Sequence, residues 1–245
     1  EDYELAKKYV NKALKLNSKD TAALNNLAQV YVSDHQLDKG IECFQRAIEL
    51  DANNSLIFLN MGRALMRRRR DEEALEAFQK SMEIDNYATD AFYLFSATLR
   101  QMEKLEEAEN FVRSALIQFP DEPLLTCELA NNLQSRFEFE ESEKYIRRVL
   151  KLDPNHGPAL VTLAIVLVHT GKKEEVLELY KKAIEVLPNN PTVTYNYALT
   201  LFCYGHLKEA WKYYHSRWET ESFSSPVRSF PQDLWDGSSL KGKKI

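Results

Sequence analysis

Four pairs of adjacent carboxylates stand out as residues that could do chemistry: Glu72-Glu73, Glu106-Glu107, Glu140-Glu141 and Glu174-Glu175. Two carboxylates held close together can divide general acid and general base work between them. These pairs recur at one fixed spacing along the chain, however, and a catalytic pair has no reason to repeat. Negative charge in the first turn of a helix interacts favourably with the helix dipole, which explains the recurrence without catalysis. The five histidines, His35, His156, His169, His206 and His215, form no His-Glu-x-x-His and pair with no cysteine at metal-ligand spacing. The sequence has no nucleophile elbow, no Walker loop and no dinucleotide-binding glycine pattern. The expectation is therefore no catalytic residue, no metal and no cofactor. The one basic run, Arg67-Arg68-Arg69-Arg70, is followed at once by Asp71, Glu72 and Glu73. It reads as a solvated turn after a helix C-terminus, where cations are favoured. A site for an anionic peptide or phosphate is the alternative, and only Arg67 is placed to reach a groove.

Composition narrows the field from the other side. A net charge of −5 over 245 residues lacks the strong positive field that general nucleic-acid binding needs. The longest apolar run, around Leu160 to Val168, falls far short of the roughly 20 residues required to span a bilayer. No apolar signal segment follows the charged start. With only 7 glycines, an all-β chain with many tight turns is disfavoured, as is a glycine-rich phosphate loop. Cys43, Cys127 and Cys203, odd in number and scattered, read as reduced thiols of a cytoplasmic protein.

The elements that must position these residues repeat. Six blocks of equal length follow without a gap: 21–54, 55–88, 89–122, 123–156, 157–190 and 191–224. Block position 4 holds Leu24, Phe58, Phe92, Thr126, Leu160 and Thr194, and position 11 holds Tyr31, Leu65, Leu99, Leu133, Leu167 and Leu201. Position 7 is apolar or aromatic in every block, from Leu27 to Tyr197. Position 8 is always small: Ala28, Gly62, Ser96, Ala130, Ala164 and Ala198. The 4, 7, 8, 11 spacing is one face of an α-helix, and its small residue lets another helix approach closely. Positions 20, 24 and 27 form a second such face, for example Ala74, Phe78 and Ser81, until Arg217 breaks it in the last block. Pro120, Pro154 and Pro188 stop three of the second helices.

This pattern resembles the tetratricopeptide repeat, a helix-turn-helix unit of about 34 residues, over nearly all of residues 1–218. The resemblance implies an all-α, right-handed superhelical solenoid. Departures from it are the absent tryptophan at position 4 and the threonines Thr126 and Thr194 there, which suggest looser packing. Residues 1–20 fit the second half of a preceding block, with Ala6, Val10 and Ala13 at positions 20, 24 and 27. An uncapped solenoid end leaves an apolar face exposed. From this orphan helix the expectation is that further repeats lie upstream and that the chain self-associates through its N-terminal helix; the start without Met reads as an excised or processed piece.

In the resembled family, positions 2, 5, 6, 9, 12 and 13 of the first helices line a concave groove that holds extended peptides. Here those positions supply Asn25, Asn26, Gln29, Asn60, Arg63, Arg67, Tyr93, Arg100, Gln101, Asn131, Gln134, Tyr195 and Asn196. Amide side chains can bond a peptide backbone through both donor and acceptor, and Arg and Tyr are common binding anchors. The plain alternative is simple surface polarity. The carboxylate clamp of chaperone-tail binders is missing, because Asp90 and Leu94 follow where cations would be needed. The position-6 asparagine ladder of O-linked N-acetylglucosamine transferases is partial: Asn26, Asn60 and Asn196 fit, while Leu94, Glu128 and Thr162 interrupt.

The end of the chain resembles a junction found in bacterial repeat proteins that carry a glycosyltransferase-like domain. Gly205, Glu209, Ala210, Trp211, Tyr214, Arg217 and Trp218 match its first part. Phe230, Pro231, Trp235, Gly237, Leu240, Gly242 and Lys243 match its second, beyond a Ser- and Pro-containing linker. Residues 225–245 then read as an irregular tail toward a further domain. The bland alternative is a polar extension with Trp235 capping the last helix. The function implied is a peptide- or protein-binding scaffold serving such a transferase; a freestanding adaptor is the alternative.

Overall fold

The computed structural model describes residues 3–220. The linker and tail, with Trp235 and the second half of the junction match, lie outside the described residues. Among these residues the secondary structure is helical throughout, with no strand. An initial helix α1 (Tyr3–Leu16) precedes six pairs. The first helices of the pairs are α2 (Thr21–Ser33), α4 (Ser55–Arg67), α6 (Thr89–Gln101), α8 (Pro123–Ser135), α10 (Gly157–Thr170) and α12 (Pro191–Cys203). The second helices are α3 (Leu37–Leu50), α5 (Asp71–Ile84), α7 (Leu105–Gln118), α9 (Phe139–Leu152), α11 (Lys173–Val186) and α13 (Leu207–Tyr214). A 3-10 helix, His215–Glu219, follows α13.

The chain divides into two compact units after Arg136. In the first, α1 to α8 pack each on the next, and the first helices α2, α4, α6 and α8 also touch in succession. In the second, α9 to α13 pack in the same consecutive manner. Small residues make this possible. Ala28, Ser96, Ala130, Ala164 and Ala198 at position 8 are fully buried, as are Ala74, Ala108, Ser142, Ala210 and the larger Val176 at position 20. Phe44 and Phe78 from the second helices fill the space between them. The position-4 threonines bond their own helices: Thr126 Oγ1 donates to the Glu122 carbonyl at 2.9 Å and Thr194 Oγ1 to that of Asn190 at 3.1 Å.

Each turn inside a pair passes through the left-handed region at position 15: His35, Arg69, Glu103, Phe137, Gly171 and Gly205 all have φ between 59° and 84°. Four of these six are not glycine, an arrangement that costs about 1 kcal/mol each. The backbone recovers much of it. At the end of α4, the Arg69 N–H bonds the Met66 carbonyl at 3.1 Å and the Arg70 N–H reaches back to Leu65 at 3.0 Å. This is a Schellman closure, which satisfies carbonyls that the helix end leaves open.

Side-chain caps start several helices. Asp20 accepts from the Ala23 N–H, and His156 Nδ1 accepts from that of Ala159. Pro123 and Pro191 stand at the first positions of α8 and α12, where a missing N–H costs nothing. The paired glutamates occupy the first turns of α5, α7, α9 and α11.

Two places depart from the regular pattern. In α1, Ala13 is exposed while its counterparts Ala47, Ser81, Ala115, Val149 and Ala183 are buried. Leu5, Tyr9 and Leu16 form an exposed apolar stripe along α1. Lys7 fastens this helix to α2 through Asp34 at 2.6 Å, with its ammonium over the Tyr31 ring. At the other end, α13 stops at Tyr214, and Arg217, the residue that breaks the sequence pattern, lies over the rings of Tyr214 and Trp218 at 4.3 and 4.5 Å.

Candidate interaction face of the first helices

A helix turns about 100° per residue, so positions 5, 6, 9, 12 and 13 of each first helix lie on one side, away from the apolar stripe at 4, 7, 8 and 11. In the first unit this side brings eleven of the expected groove residues onto α2, α4, α6 and α8. Tyr195 and Asn196 belong to α12 in the second unit, where Tyr195 packs against Tyr214 with ring centres 5.8 Å apart.

One pair of these side chains bonds to each other, and several more bond to acidic residues beside them. Asn60 Nδ2 donates to Asn25 Oδ1 at 3.0 Å, tying α4 to α2. Arg63 Nη2 donates to Asp90 at 2.8 Å, tying α4 to α6. Gln101 Nε2 donates to Asp71 Oδ1 at 2.7 Å. Arg100 grips Glu128 with two nitrogens, Nε at 3.1 Å and Nη2 at 3.3 Å, and Asn131 Nδ2 adds a bond at 3.4 Å. Asn26 and Gln29 are exposed, and with Gln134 they make no side-chain hydrogen bond among the described residues.

Glu128 is the hub of this face. Its side chain is 0% exposed, and Ser96, itself held by Asn132 at 2.9 Å, completes its surroundings. Burial pushes the Glu128 carboxyl above its ordinary range, against the pull of Arg100. Burial also raises the Tyr93 hydroxyl. A carboxylate so enclosed and clamped by an arginine is not poised as an exposed acid or base. The cysteines offer no alternative nucleophile in the interior: burial pushes the Cys127 thiol up to about 12 and raises Cys43 as well.

The basic run is similarly committed. Arg68 bonds Asp38 at 3.0 Å, Arg69 approaches Asp71 at 3.6 Å, and Arg70 holds both oxygens of Glu73 at 2.6 Å. This favours the solvated-turn reading over an anion site. The histidines serve the fold where their surroundings are described: His156 caps α10, and His169 stacks on Phe139 at 4.2 Å. Among the described residues no group of His, Cys, Asp and Glu is placed to hold a metal ion, and no helix is long and apolar enough to cross a membrane.

Sequence reasoning missed Asp90, Asp71 and Glu128 as parts of this face. The signal was present in the spacing. Inter-repeat ion pairs such as Lys7–Asp34, Arg63–Asp90, Arg100–Glu128, Arg147–Glu175 and Lys172–Glu143 lie 27 to 29 residues apart. That separation is a little under one repeat, and it carries a side chain from one helix to its neighbour in the next block.

A tetratricopeptide-repeat family profile matches residues 20–86, and a second matches residues 1–20 and 127–156. No curated protein matches the sequence. Among solved structures, TTC0263, a thermophilic TPR protein of Thermus thermophilus, is similar with a TM-score of 0.64 at 18% identity, covering 74% of this chain and 99% of that one. Pseudomonas aeruginosa PilF is similar with a TM-score of 0.60 at 19% identity, covering 77% and 86%. The C-terminal part of a TPR repeat-containing protein from Cytophaga hutchinsonii has a TM-score of 0.57 at 18% identity, covering 87% and 89%. At these identities the likeness is one of fold.

Proposed function

We propose, from the premise that this chain carries tetratricopeptide repeats, that it is a protein-interaction scaffold whose first-helix face holds an extended peptide of low net charge. The observation that carries this reading is the way the face is furnished. Its amides Asn26, Gln29 and Gln134 are free to bond, while Arg63 and Arg100 are already neutralised by Asp90 and Glu128. Free amides suit a peptide backbone, which presents alternating donors and acceptors. Neutralised arginines offer little to an acidic tail.

Selection from a random-peptide display library on the whole chain should enrich peptides of low net charge whose binding changes little with salt. Asn26→Ala together with Gln29→Ala should weaken the selected peptide about tenfold, the loss of one to two net hydrogen bonds. Enrichment only of peptides that keep full affinity for that double variant would sink the proposal.

The narrower reading, a substrate-recognition region of a glycosyltransferase-like protein, is supported by the junction residues of the sequence alone. Its described part gathers in space: Trp211, Tyr214, Arg217 and Trp218 pack together beside Phe202. None of the comparisons points to a transferase. The reading frame beyond Ile245 decides between this reading and a freestanding adaptor, through the presence or absence of an α/β domain. The free thiols Cys43, Cys127 and Cys203 support a reducing, cytoplasmic setting.

The apolar stripe of Leu5, Tyr9 and Leu16 supports self-association through α1. Light scattering at rising concentration should show dimers that Tyr9→Lys abolishes. A strictly monomeric chain would overturn this.

A further inference from the structure

Away from the polar face, α4 floors a recess of about 330 Å³ whose walls are α3 and α5. Phe58, Met61 and Leu65 form the floor, and Ile41 and Ala77 close the sides. It shares no residue with the amide-lined face; Phe58 and Asn60 are two residues apart on α4, about 200° around the helix. Both Phe58, smaller than the tryptophan of the family's position 4, and the small Ala77 line it. Phe58 and Met61 are left half-buried. The volume is at the lower end of ligand-binding cavities, enough for one or two side chains.

Its rim is charged along one stripe of α5. Glu73, Glu76, Lys80 and Glu83 follow at intervals of three and four residues and so share a face. Glu73 is neutralised by Arg70, and Glu83 by Lys80 at 2.6 Å with Gln79 at 3.0 Å. Glu76 is exposed and has no partner among the described residues. An apolar floor beside one unmatched carboxylate is complementary to an apolar group carrying a cation.

We propose that this recess is a second binding site, which takes an aromatic or long aliphatic side chain of a partner polypeptide with a lysine or arginine beside it, paired to Glu76. An acidic neighbour would instead meet the unmatched carboxylate of Glu76.

The test uses two N-acetylated, C-amidated dipeptides, Trp-Lys and Trp-Glu, titrated into the whole isotope-labelled chain and followed by NMR. Trp-Lys should shift the amides of Met61 and Ala77 and bind about threefold more tightly than Trp-Glu, the scale of an exposed ion pair. Phe58→Trp, which fills the recess, should abolish both. Should that variant not fold, Glu76→Lys, at an exposed position, should reverse the preference toward Trp-Glu. Asn60→Ala should leave both probes unaffected. Absence of binding at millimolar concentration, equal affinity for both dipeptides with no response to Glu76→Lys, or loss of binding with Asn60→Ala would each overturn the proposal.

Discussion

Arg100→Ala should cost the first unit about 3–5 kcal/mol at neutral pH, the usual penalty for stranding one member of a buried ion pair. Glu128 is fully buried, while the Arg100 side chain is 30% exposed. The two ends of the pair are therefore unequal. Glu128→Gln removes the charge that burial disfavours, keeps an acceptor for Arg100 and Asn131, and leaves an arginine that can turn toward water. It should cost no more than about 1–2 kcal/mol. Removing Arg100 instead leaves a carboxylate in the interior with, among the described residues, Asn131 and Ser96 to solvate it.

The pH dependence follows from the direction of the shift. Burial already raises the Glu128 carboxyl above its ordinary value in the folded state, and loss of Arg100 raises it further. A group held higher in the folded than in the unfolded chain favours folding most at pH below its unfolded value, and that advantage is lost as pH rises through the folded value. The Arg100→Ala defect should therefore shrink on acidification toward the unfolded carboxyl range, near pH 4. The double variant Arg100→Ala, Glu128→Gln should recover most of the loss at pH 7. Urea denaturation at both pH values measures each variant. A neutral-pH cost under about 1 kcal/mol, far below the stranded-charge penalty, or a defect that does not change with pH, would show that Glu128 is not a clamped buried charge.

How much of this was legible in the sequence differs between the fold and the face. Residues at position 8 have to be small in every block, because they sit where helices touch. Their recurrence, from Ala28 to Ala198, is visible in one dimension. The left-handed residue at position 15 was not legible. Gly171 and Gly205 mark it in two blocks, but His35, Arg69, Glu103 and Phe137 hide it in four, and at His35, Arg69 and Glu103 Schellman bonds offset the cost of a side chain. On the face, residue types were legible but their partners were not. Arg63 and Arg100 read as free anchors, and Glu128 as a gap in a ladder. The repeat places Asp90 and Glu128 against those arginines, and a pairing between blocks is seen only when separations just short of one repeat are searched for opposite charges. The tail match could not gain support in this way, because its second half lies outside the described residues.

Phe78→Ala should cost about 3–5 kcal/mol, as expected for emptying a fully buried aromatic site. It should also reverse the sign of a second substitution. Gly62, the small residue at position 8 of α4, has no room for a side chain: a Cβ there would stand 2.5 to 2.9 Å from three carbons of the Phe78 ring. In the native chain Gly62→Ala therefore sets an overpacking cost of about 1–3 kcal/mol against about 1 kcal/mol gained in helix propensity. The net effect should be a loss of about 1 kcal/mol. With Phe78 reduced to alanine the ring is gone, the new methyl enters the vacated space, and only the propensity gain remains. Gly62→Ala should then stabilise by about 1 kcal/mol, giving a coupling of about 2 kcal/mol between the two sites. Gly40 is the contrasting case, because a Cβ there also meets the Ala28 carbonyl oxygen at 3.0 Å, and no shortening of a side chain relieves a backbone contact. Additivity of the Gly62 and Phe78 substitutions to within about 0.5 kcal/mol, the behaviour of independent sites, would mean that α4 and α5 can shift apart freely. A shift of that kind would move Asn60 away from Asn25 and Arg63 away from Asp90. The same cycle thus tests whether the close approach of these helices fixes the polar face on which the proposed peptide site depends.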